Sequence, residues 1–431
     1  MTHKHFIFTV ITCMTLACVG VGCSSDDPVE PVDPDPIDTT TVDTTTVDTT
    51  DTTQIDTDTV VIPVDSTVYI KWSGTTATVE LDEKLSDDIT FTVNGGNVVV
   101  TNNNITDEFL FVLSGTSADG SFTYNGSFKA SMQFDGLNLT STTGAAVDIQ
   151  CGKRIKLQLT DDTQNSLTDA PNGTQKAAFN CQGHLEVSGS GSLTIAGNTN
   201  HGLRTNEYLL LKQSTGAITI TAAAADGIHC GEFYQQNGGT VTISGNAKDG
   251  LQVETDDESD EAQNGQFILN DGTLTVTVTA EDAKAVRLDA AETNTSITPQ
   301  MYILGGTMTV NVATTANGSK GIACDGNITI GNGQEATPVV TVNVDGGQYT
   351  DPETEDKNRA TGIKADNTLL IAGGNTTVEA NGKKSRGVRA ATLRATAGTL
   401  TVNTNGSSSQ GIKLDNTFTS EGGTVTSKFT Y

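Results

Sequence analysis

A short motif recurs along the second half of the chain and constrains its architecture. A small residue followed by an apolar one opens each unit, with the small residue at positions 202, 227, 250, 285, 321, 362, 387 and 411. Successive positions are 25, 23, 35, 36, 41, 25 and 24 residues apart, so the base period is about 24 residues and the longer spacings hold polar insertions. A period of about 20–50 residues is typical of stacked repeat folds. The repeat therefore predicts an array of similar coils rather than a single globular core.

Each unit contains three short segments with strand character. The first follows the small residue, the second resembles Leu369 to Ile371, and the third follows a glycine pair, as at 305–310. Three strands per period match one coil of a parallel β-helix, with coils about 4.8 Å apart. The chain lacks the L-x-x-L-x-L pattern of leucine-rich repeats and the tandem nonapeptide of calcium β-rolls, and a propeller blade needs about 40 residues and four strands. We predict an all-β fold, a parallel β-helix over residues 65–431, with degenerate early units at Ala146 and Ala178.

Composition agrees with this fold. The chain has 45 glycines, nine prolines and only 5% aromatic residues, which suits short strands, tight corners and a narrow core. Stacking in register would place equivalent residues in inward columns. Cys181, Cys230 and Cys324 would share one column without occupying adjacent coils, so with Cys151 they are predicted to be buried free thiols. The two predicted columns are Leu203, Ile228, Leu251, Val286, Ile322, Ile363, Val388 and Ile412, and Thr205, Cys230, Val253, Leu288, Cys324, Ala365, Ala390 and Leu414.

The N-terminus has the layout of a targeting signal. Lys4 precedes an apolar run over 6–22, which ends at Cys23, so residues 1–22 are predicted to be a signal peptide. Val21-Gly22-Cys23 resembles the lipobox of bacterial lipoproteins, with Cys23 as the lipidated residue and Cys18 as a weaker competing site. The alternative is an uncleaved single membrane span. The Ser-Ser-Asp-Asp at 24–27 resembles the surface-export signal of Bacteroidota-type lipoproteins, which implies a lipoprotein on the outer face of the outer membrane.

Residues 23–64 form an acidic segment rich in threonine. Eleven of the 52 acidic residues lie between Cys23 and Pro63, and no Lys or Arg lies between Pro28 and Pro63. Such a segment cannot bury a core, so it is predicted to be a disordered tether. Its Asp-Thr-Thr units resemble bacterial O-glycosylation acceptors; the alternative is an unmodified, self-repelling spacer. The net charge of −28 makes nucleic acid an unlikely partner, because duplex binding requires a basic face.

Four segments near the start of the array carry a family resemblance. They are 132–140 (MQFDGLNLT), 145–149 (AAVDI), 155–159 (IKLQL) and 165–169 (NSLTD). With the Asp-Gly-Ile and Gly-Gly-Thr units that follow, they resemble the calcium-binding, carbohydrate-binding β-helix family of cellulolytic bacteria. The resemblance covers most of residues 110–430. It implies a right-handed helix that looks like polysaccharide lyases, bound calcium, and non-catalytic affinity for plant polysaccharides, including acidic ones such as pectin. Several Asp-Gly-Ile units carry Lys, Arg, Thr or Gln before the small residue, which leaves the number of calcium sites undetermined.

The residue after each apolar anchor is predicted to point outward and to form a further column. Its members are Arg204, His229, Gln252, Arg287, Ala323, Lys364, Arg389 and Lys413. Five of these eight are Lys or Arg, against 24 in the 431-residue chain. Stacked like charges repel, so the column needs an anionic partner such as uronates or interleaved carboxylates; the alternative is an ordinary solvated face. The candidate ligand-binding residues are Arg204, His229, Arg287, Lys364, Arg389 and Lys413.

Acidic residues concentrate at two turns and in the first insertion. Calcium binds six to eight oxygens from carboxylates and carbonyls, which makes Asp226, Asp249, Asp256 and Asp257 the candidate ligands. The alternative is a solvated acidic loop. His201 and His229 lie too far from any other His or Cys triad to suggest zinc. Aromatic residues that could stack on sugars, or belong to the core instead, are Tyr208, Phe233, Tyr234, Tyr302 and Tyr349.

Three functions are compatible with these features. The first is a surface-tethered, non-catalytic lipoprotein that captures acidic or plant-cell-wall polysaccharide with calcium. The second is a calcium-dependent polysaccharide lyase, in which a base removes the proton α to a uronate carboxylate. Candidates for that base are Lys284, Arg287, Lys384 and Arg386. The third is a structural adhesin that binds another protein.

Overall fold

The computed structural model describes residues 66–333 and 337–429, and these are almost entirely β-strand. The predicted signal peptide, the lipidation site at Cys23 and nearly all of the tether lie outside the described residues. The helical structure within the described ranges is a single 3-10 turn, Glu83–Leu85, and no helix there is long and apolar enough to span a membrane. The prediction of an all-β fold is therefore confirmed.

Thirty-five strands follow one another in the described residues. The N-terminal strands are β1 (Thr67–Ser73), β2 (Thr76–Leu81), β3 (Ile89–Asn94), β4 (Gly96–Asn102), β5 (Leu110–Ser117), β6 (Gly120–Asn125) and β7 (Ala130–Thr140). Next come β8 (Val147–Gln150), β9 (Ile155–Leu159), β10 (Gln164–Thr168), β11 (Ala177–Cys181), β12 (Leu185–Ser188), β13 (Ser192–Gly197), β14 (His201–Thr205), β15 (Leu209–Leu211), β16 (Ala217–Ala223), β17 (Ile228–Cys230), β18 (Phe233–Gln236), β19 (Thr240–Ile243), β20 (Leu251–Glu254), β21 (Gln266–Leu269) and β22 (Thr273–Val278). The remainder are β23 (Lys284–Asp289), β24 (Gln300–Ile303), β25 (Thr307–Val312), β26 (Lys320–Cys324), β27 (Asn327–Ile330), β28 (Val339–Val344), β29 (Gln348–Thr350), β30 (Lys357–Arg359), β31 (Thr361–Ala380), β32 (Arg386–Thr404), β33 (Gln410–Leu414), β34 (Phe418–Ser420) and β35 (Thr424–Phe429).

From β8 to β25 each strand pairs in parallel with the strand three places later, which builds three ladders. The first ladder runs β8, β11, β14, β17, β20, β23 and β26 and ends on β33; the second runs from β9 through β12 to β27 and ends on β34; the third runs from β10 through β13 to β28 and ends on β35. The long strands β31 and β32 take part in all three ladders. We call three consecutive strands, one from each ladder, a coil. This pairing is what a three-strand coil requires.

The hydrophobic core lies between the ladders. In β25, Met308, Val310 and Val312 are buried, while the alternating Thr307, Thr309 and Asn311 face outward. The predicted inward columns pair in register, Leu203 with Ile228 and then Leu251, and their members are buried except for Ile412 and Leu414 in the last coil. The four cysteines within the described residues are buried and free, and burial raises the pKa of Cys181 to about 12, so its thiol stays protonated.

The small residue that opens each coil is explained by the packing at the corner. A Cβ on Gly227 would lie 2.3 Å from Cγ2 of Ile243 and 2.7 Å from the carbonyl oxygen of Gly250 in the next coil. Neither approach is compatible with a methyl group, because these distances are well inside van der Waals contact. The repeat motif is therefore a consequence of how closely successive coils stack at this corner.

Two antiparallel hairpins cover the N-terminal end of the array. β1 pairs with β2, and β3 pairs with β4. Trp72 in β1 is buried and donates its indole N–H to the carbonyl of Gly96 at 2.7 Å. Beneath the hairpins, Phe111 packs edge-on against Phe122 and Tyr124, with ring centroids 5.3 and 5.0 Å away. This end of the core is thus closed by aromatic side chains.

Candidate functional site

A groove with a volume of about 750 Å³ lies over the middle of the first ladder. Its floor is the predicted outward column in strands β14, β17, β20 and β23, which stack in register. Two insertions flank it, one after β20 and one after β23. The lining side chains of the floor are Arg204, Asn206, His229, Gln252, Glu254, Arg287 and Asp289, and those of the flanks include Asp256, Asp257, Glu258, Glu292 and Asp325.

The basic column is interleaved with carboxylates. Arg287 Nε lies 2.5 Å from Asp289, and Lys364 Nζ lies 2.8 Å from Asp366, in each case two residues further along the same strand. At the C-terminal end, Asp415 lies within 3.7 Å of Lys413 and 3.5 Å of Arg389. The sequence left an anionic partner and interleaved carboxylates as alternatives, and the structure contains the carboxylates. At 287–289, 364–366 and 413–415 a basic residue is followed two positions later by an acidic residue. This spacing is the signal in the sequence that could have predicted the ion pairs.

Arg287 is the best-anchored base in the groove. Its NH1 donates to Asp249 at 3.0 Å, while Asp289 also accepts from the amide of Gln252 at 2.8 Å. Burial opposes the charge of the guanidinium, but Asp289 and Asp249 outweigh it and raise the pKa of Arg287. Arg287 is thus a permanent cation whose position is fixed by two carboxylates, so its remaining N–H groups can be directed at a ligand.

His229 is a second cation in the floor. Its Nδ1 lies 3.2 Å from Asp226, and its Nε2 lies 3.5 Å from Glu254. Burial disfavours the charged imidazolium, yet these two carboxylates outweigh it and raise the pKa of His229 to about 9. Asp226 also contacts Nδ1 of His201 at 3.2 Å, and the two imidazole rings lie with centroids 4.5 Å apart and planes tilted by 33°. The two histidines are far apart in the sequence, and the stacking of one coil on the next brings them together.

The charges lining the groove are predominantly negative. Seven carboxylates contribute to the lining, against Arg204, Arg287 and His229. Most of the positive charge is already paired within the chain. An unaccompanied polyanion would therefore meet a repulsive surface here, whereas hydroxyl groups would find both donors and acceptors.

The four predicted calcium ligands do not converge on one point. Asp226 accepts the backbone N–H of Asp249 and contacts two imidazoles, and Asp249 accepts from Lys284 N–H and from Arg287. These two carboxylates already have donors and do not fit a calcium ion. Asp256 accepts the N–H groups of Glu258 and Ser259 through one oxygen, and Asp257 accepts those of Thr293 and Asn294 through one oxygen. Both residues line the groove, and carboxylates there are of the ligand type that calcium binds.

A smaller polar hollow of about 380 Å³ lies on the same ladder toward the N-terminus. Its floor carries the same outward columns, here occupied by amides and one carboxylate. Asn180 donates to Asp148 at 2.8 Å, and Gln182 donates to Gln150 at 3.3 Å across one coil. The polar surface thus extends along the first ladder beyond the main groove.

The predicted aromatic residues lie elsewhere. Tyr234 is fully buried in the core, and Tyr208 stacks between His184 and Phe233 at centroid distances of 4.2 and 4.5 Å. Tyr302 and Tyr349 are half-buried. None of the five is among the described residues that line the groove or the hollow.

The predicted lyase bases are dispersed. Arg287 lies in the groove, and Lys284 Nζ donates to the carbonyl of Asp282 at 2.9 Å. Lys384 and Arg386 lie four coils from the acidic insertion, or roughly 19 Å at the spacing of parallel strands. Arg386 donates to Gln410 at 3.0 Å. The four residues do not form one site.

Comparison with known proteins points to one family. A family model described as carbohydrate-binding domain-containing protein matches residues 94–407. A protein of that description from Acetivibrio thermocellus is 30% identical over 128 residues, which are 27% of this chain and 44% of the relative. The chain therefore spans less than half of that relative's length. A solved structure of a polysaccharide lyase-like protein from C. thermocellum, a gadolinium derivative, is 23% identical, with a TM-score of 0.47 over 61% of this chain and 96% of that one.

Proposed function

Because the chain belongs to the carbohydrate-binding domain-containing protein family, we propose that it binds polysaccharide in the groove over the first ladder. One observation carries the proposal: the groove lies inside the matched residues 94–407 and is lined by charged and amide side chains in rows. Rows on successive parallel strands repeat every 4.8 Å or so, which is close to the length of one sugar ring in an extended chain. Carboxylates, amides and guanidinium groups are the partners that sugar hydroxyls use.

The charge of the groove favours an uncharged or mixed plant-cell-wall polysaccharide over a purely acidic one. Seven carboxylates line the groove, and its base Arg287 already has the carboxylates of Asp289 and Asp249 within 3.0 Å. An acidic chain such as pectin is the second candidate, and it requires calcium between its uronates and the groove. Asp256 and Asp257, rather than Asp226 and Asp249, are the residues that support calcium there.

The test is a glycan array with the full chain, run with calcium and with a chelator. Arg287→Ala should weaken binding to the best glycan about tenfold or more, because a hydrogen bond from a charged donor is lost. Arg389→Ala, from the same column but outside the groove, is the matched control and should bind normally. Equal binding by both variants would place the site elsewhere, and an array without any positive glycan would favour the protein adhesin.

The calcium proposal has a separate readout. Calcium added to the metal-free protein should raise the melting temperature of the unmodified chain and of Asp249→Asn, but not that of the Asp256→Asn/Asp257→Asn double variant. Calcium dependence that persists in the double variant would contradict these ligands.

We propose that the protein is non-catalytic. A lyase needs an unprotonated base beside the substrate, whereas His229 has a pKa of about 9 and Arg287 is held charged by two carboxylates. Incubation with polygalacturonate should give no rise in unsaturated-product absorbance. A rise that is lost in Arg287→Ala would establish the lyase instead.

We also propose a right-handed parallel β-helix tethered to the cell surface through lipid on Cys23. Crossovers between parallel strands are right-handed in nearly all known sheets. Labelled palmitate should enter the unmodified chain but not Cys23→Ala, and protease added to intact cells should remove the domain. A cell that incorporates label equally with Cys23→Ala would contradict lipidation at this residue.

A further inference from the structure

Three ligand-type side chains from successive coils meet at the corner between the first and second ladders. His184 precedes β12, Glu207 lies two residues before β15, and Glu232 immediately precedes β18. Nε2 of His184 lies 2.6 Å from Oε2 of Glu207 and 3.6 Å from Oε2 of Glu232. The three atoms all lie within 4.8 Å of one another. Parallel stacking of the corners creates this cluster, which lies outside the groove lining.

The cluster contains carboxylate oxygens without hydrogen bonds. Oε2 of Glu207 and Oε2 of Glu232 are both buried, neither meets a donor in hydrogen-bonding geometry, and the same ring nitrogen of His184 is 2.6 and 3.6 Å from them. The Glu232 side chain is only 7% exposed. A buried carboxylate oxygen that lacks a donor is costly, and one imidazole N–H can satisfy no more than one of the two. A cation between them would satisfy both.

The surrounding residues hold the three side chains in place. The Tyr208 ring stacks on His184 with centroids 4.2 Å apart and fixes the plane of the imidazole. Ser259, from the insertion after β20, donates its hydroxyl to Oε1 of Glu232 at 2.5 Å. Hydrogen bonding of the non-ligating carboxylate oxygen is the usual second layer around a metal ion.

We propose that His184, Glu207 and Glu232 bind a divalent first-row transition-metal ion of the zinc class. One imidazole nitrogen and two carboxylate oxygens suit Zn²⁺ and its neighbours, whereas calcium takes oxygen ligands only. Three protein ligands leave a position for water. The neighbouring trio His201, Asp226 and His229 differs, because both oxygens of its carboxylate have partners within the chain.

The test uses the full chain, freed of metal by a chelator and titrated with Zn²⁺ and with Co²⁺. Zn²⁺ should raise the melting temperature of the unmodified protein, and Co²⁺ should give visible bands of a bound ion without the thiolate charge-transfer band of cysteine ligation. Glu232→Gln and Glu207→Gln should each lose one equivalent of bound ion. Asp226→Asn, from the neighbouring trio, is the matched control and should retain it.

Unchanged metal stoichiometry in both glutamine variants would overturn the site. If neither variant folds, the cobalt spectrum of the unmodified chain decides: a spectrum of aqueous cobalt, or one with thiolate bands only, contradicts the proposal. Because the glycan array does not depend on these residues, failure here leaves the groove proposal intact.

Discussion

His229 couples the protonation of the groove floor to the stability of the fold. Its pKa rises from 6.5 to about 9 in the folded chain because Asp226 and Glu254 face it, and their attraction outweighs the burial of the ring. Because the pKa of His229 is higher in the folded chain than in the unfolded chain, protonation of the ring stabilises the fold. This stabilisation is complete below pH 6.5 and is lost as the pH rises to 9. The loss should be about 1–3 kcal/mol. Melting curves from pH 6.5 to 9 should fall more steeply for the unmodified chain than for His229→Gln.

The matched control for this measurement is Lys364→Gln, from the same column two coils beyond Arg287. It should keep the slope of the unmodified protein. A slope that is identical in all three chains would show that the imidazole does not carry this pH dependence.

Lys320 behaves in the opposite way. Burial lowers its pKa from 10.5 to about 8, against the attraction of Asp282 at 3.8 Å, and the nearby charges of Lys284 and Lys364 add to the effect. Because the pKa of Lys320 is lower in the folded chain than in the unfolded chain, its positive charge destabilises the fold. The destabilisation is complete below pH 8 and disappears as the pH rises to 10.5. Lys320→Met should therefore raise the melting temperature at pH 7, by about 1–3 kcal/mol in unfolding free energy.

The exposed Lys413→Met substitution should leave the melting temperature nearly unchanged, because a half-exposed side chain loses little hydration. If Lys320→Met destabilises the chain at pH 7, the hydrogen bond from Nζ to the Gly318 carbonyl outweighs the cost of the buried charge.

The corner glycines are the elements that permit the stacking of coils. Gly227→Ala would place a methyl group 2.3 Å from Ile243 Cγ2, and relieving such a contact costs about 1–3 kcal/mol. We expect a lower melting temperature for this variant. Gly152→Ala is the control, because nothing lies within 4 Å of its added Cβ and it should be neutral. Equal melting temperatures would mean that the corner can open without penalty.

The ladders and inward columns could be predicted from sequence because each coil repeats the same alternation. Leu203, Ile228 and Leu251 lie on the same face of the first ladder. Insertions between strands do not change this, because the register depends on the pairing of the strands and not on the number of residues that connect them. The same alternation predicted the place of Arg287 in the outward column. It could not predict the Arg287–Asp249 ion pair, because Asp249 lies at a corner where the chain turns and side-chain direction no longer alternates.

The metal-type clusters were missed for the same physical reason. His184, Glu207 and Glu232 are about one period apart but occupy two adjacent positions of the corner, so they do not form a column of identical register. Ser259 reaches Glu232 from the insertion after β20, whose residues are not part of the base repeat. The side-chain clusters that are specific to this chain lie at corners and in insertions, whereas the strands form the architecture that every coil repeats.

At the scale of the whole molecule, the two ends of the described array are built differently. The N-terminal end is closed by two hairpins and the buried Trp72. In the last coil, by contrast, Phe418 and Phe429 are 51% and 59% exposed, and Ile412 and Leu414 are only partly buried. Each strand of that coil has a parallel neighbour on one side within the described residues, namely β32.

This asymmetry predicts the order in which the array opens. Stability in stacked repeats is close to a sum of nearest-neighbour terms, so a coil with one neighbour and an exposed apolar face should open first. Hydrogen exchange followed by mass spectrometry should show β33, β34 and β35 exchanging at least about tenfold faster than β14 to β23, with β5 to β9 among the slowest. Saturating glycan should slow exchange in β14 to β23 and leave the last coil unchanged, because the groove lies nearer the middle. Uniform protection along the array would mean that it unfolds as one cooperative unit, and the separation between a stable groove and a labile end would then not hold.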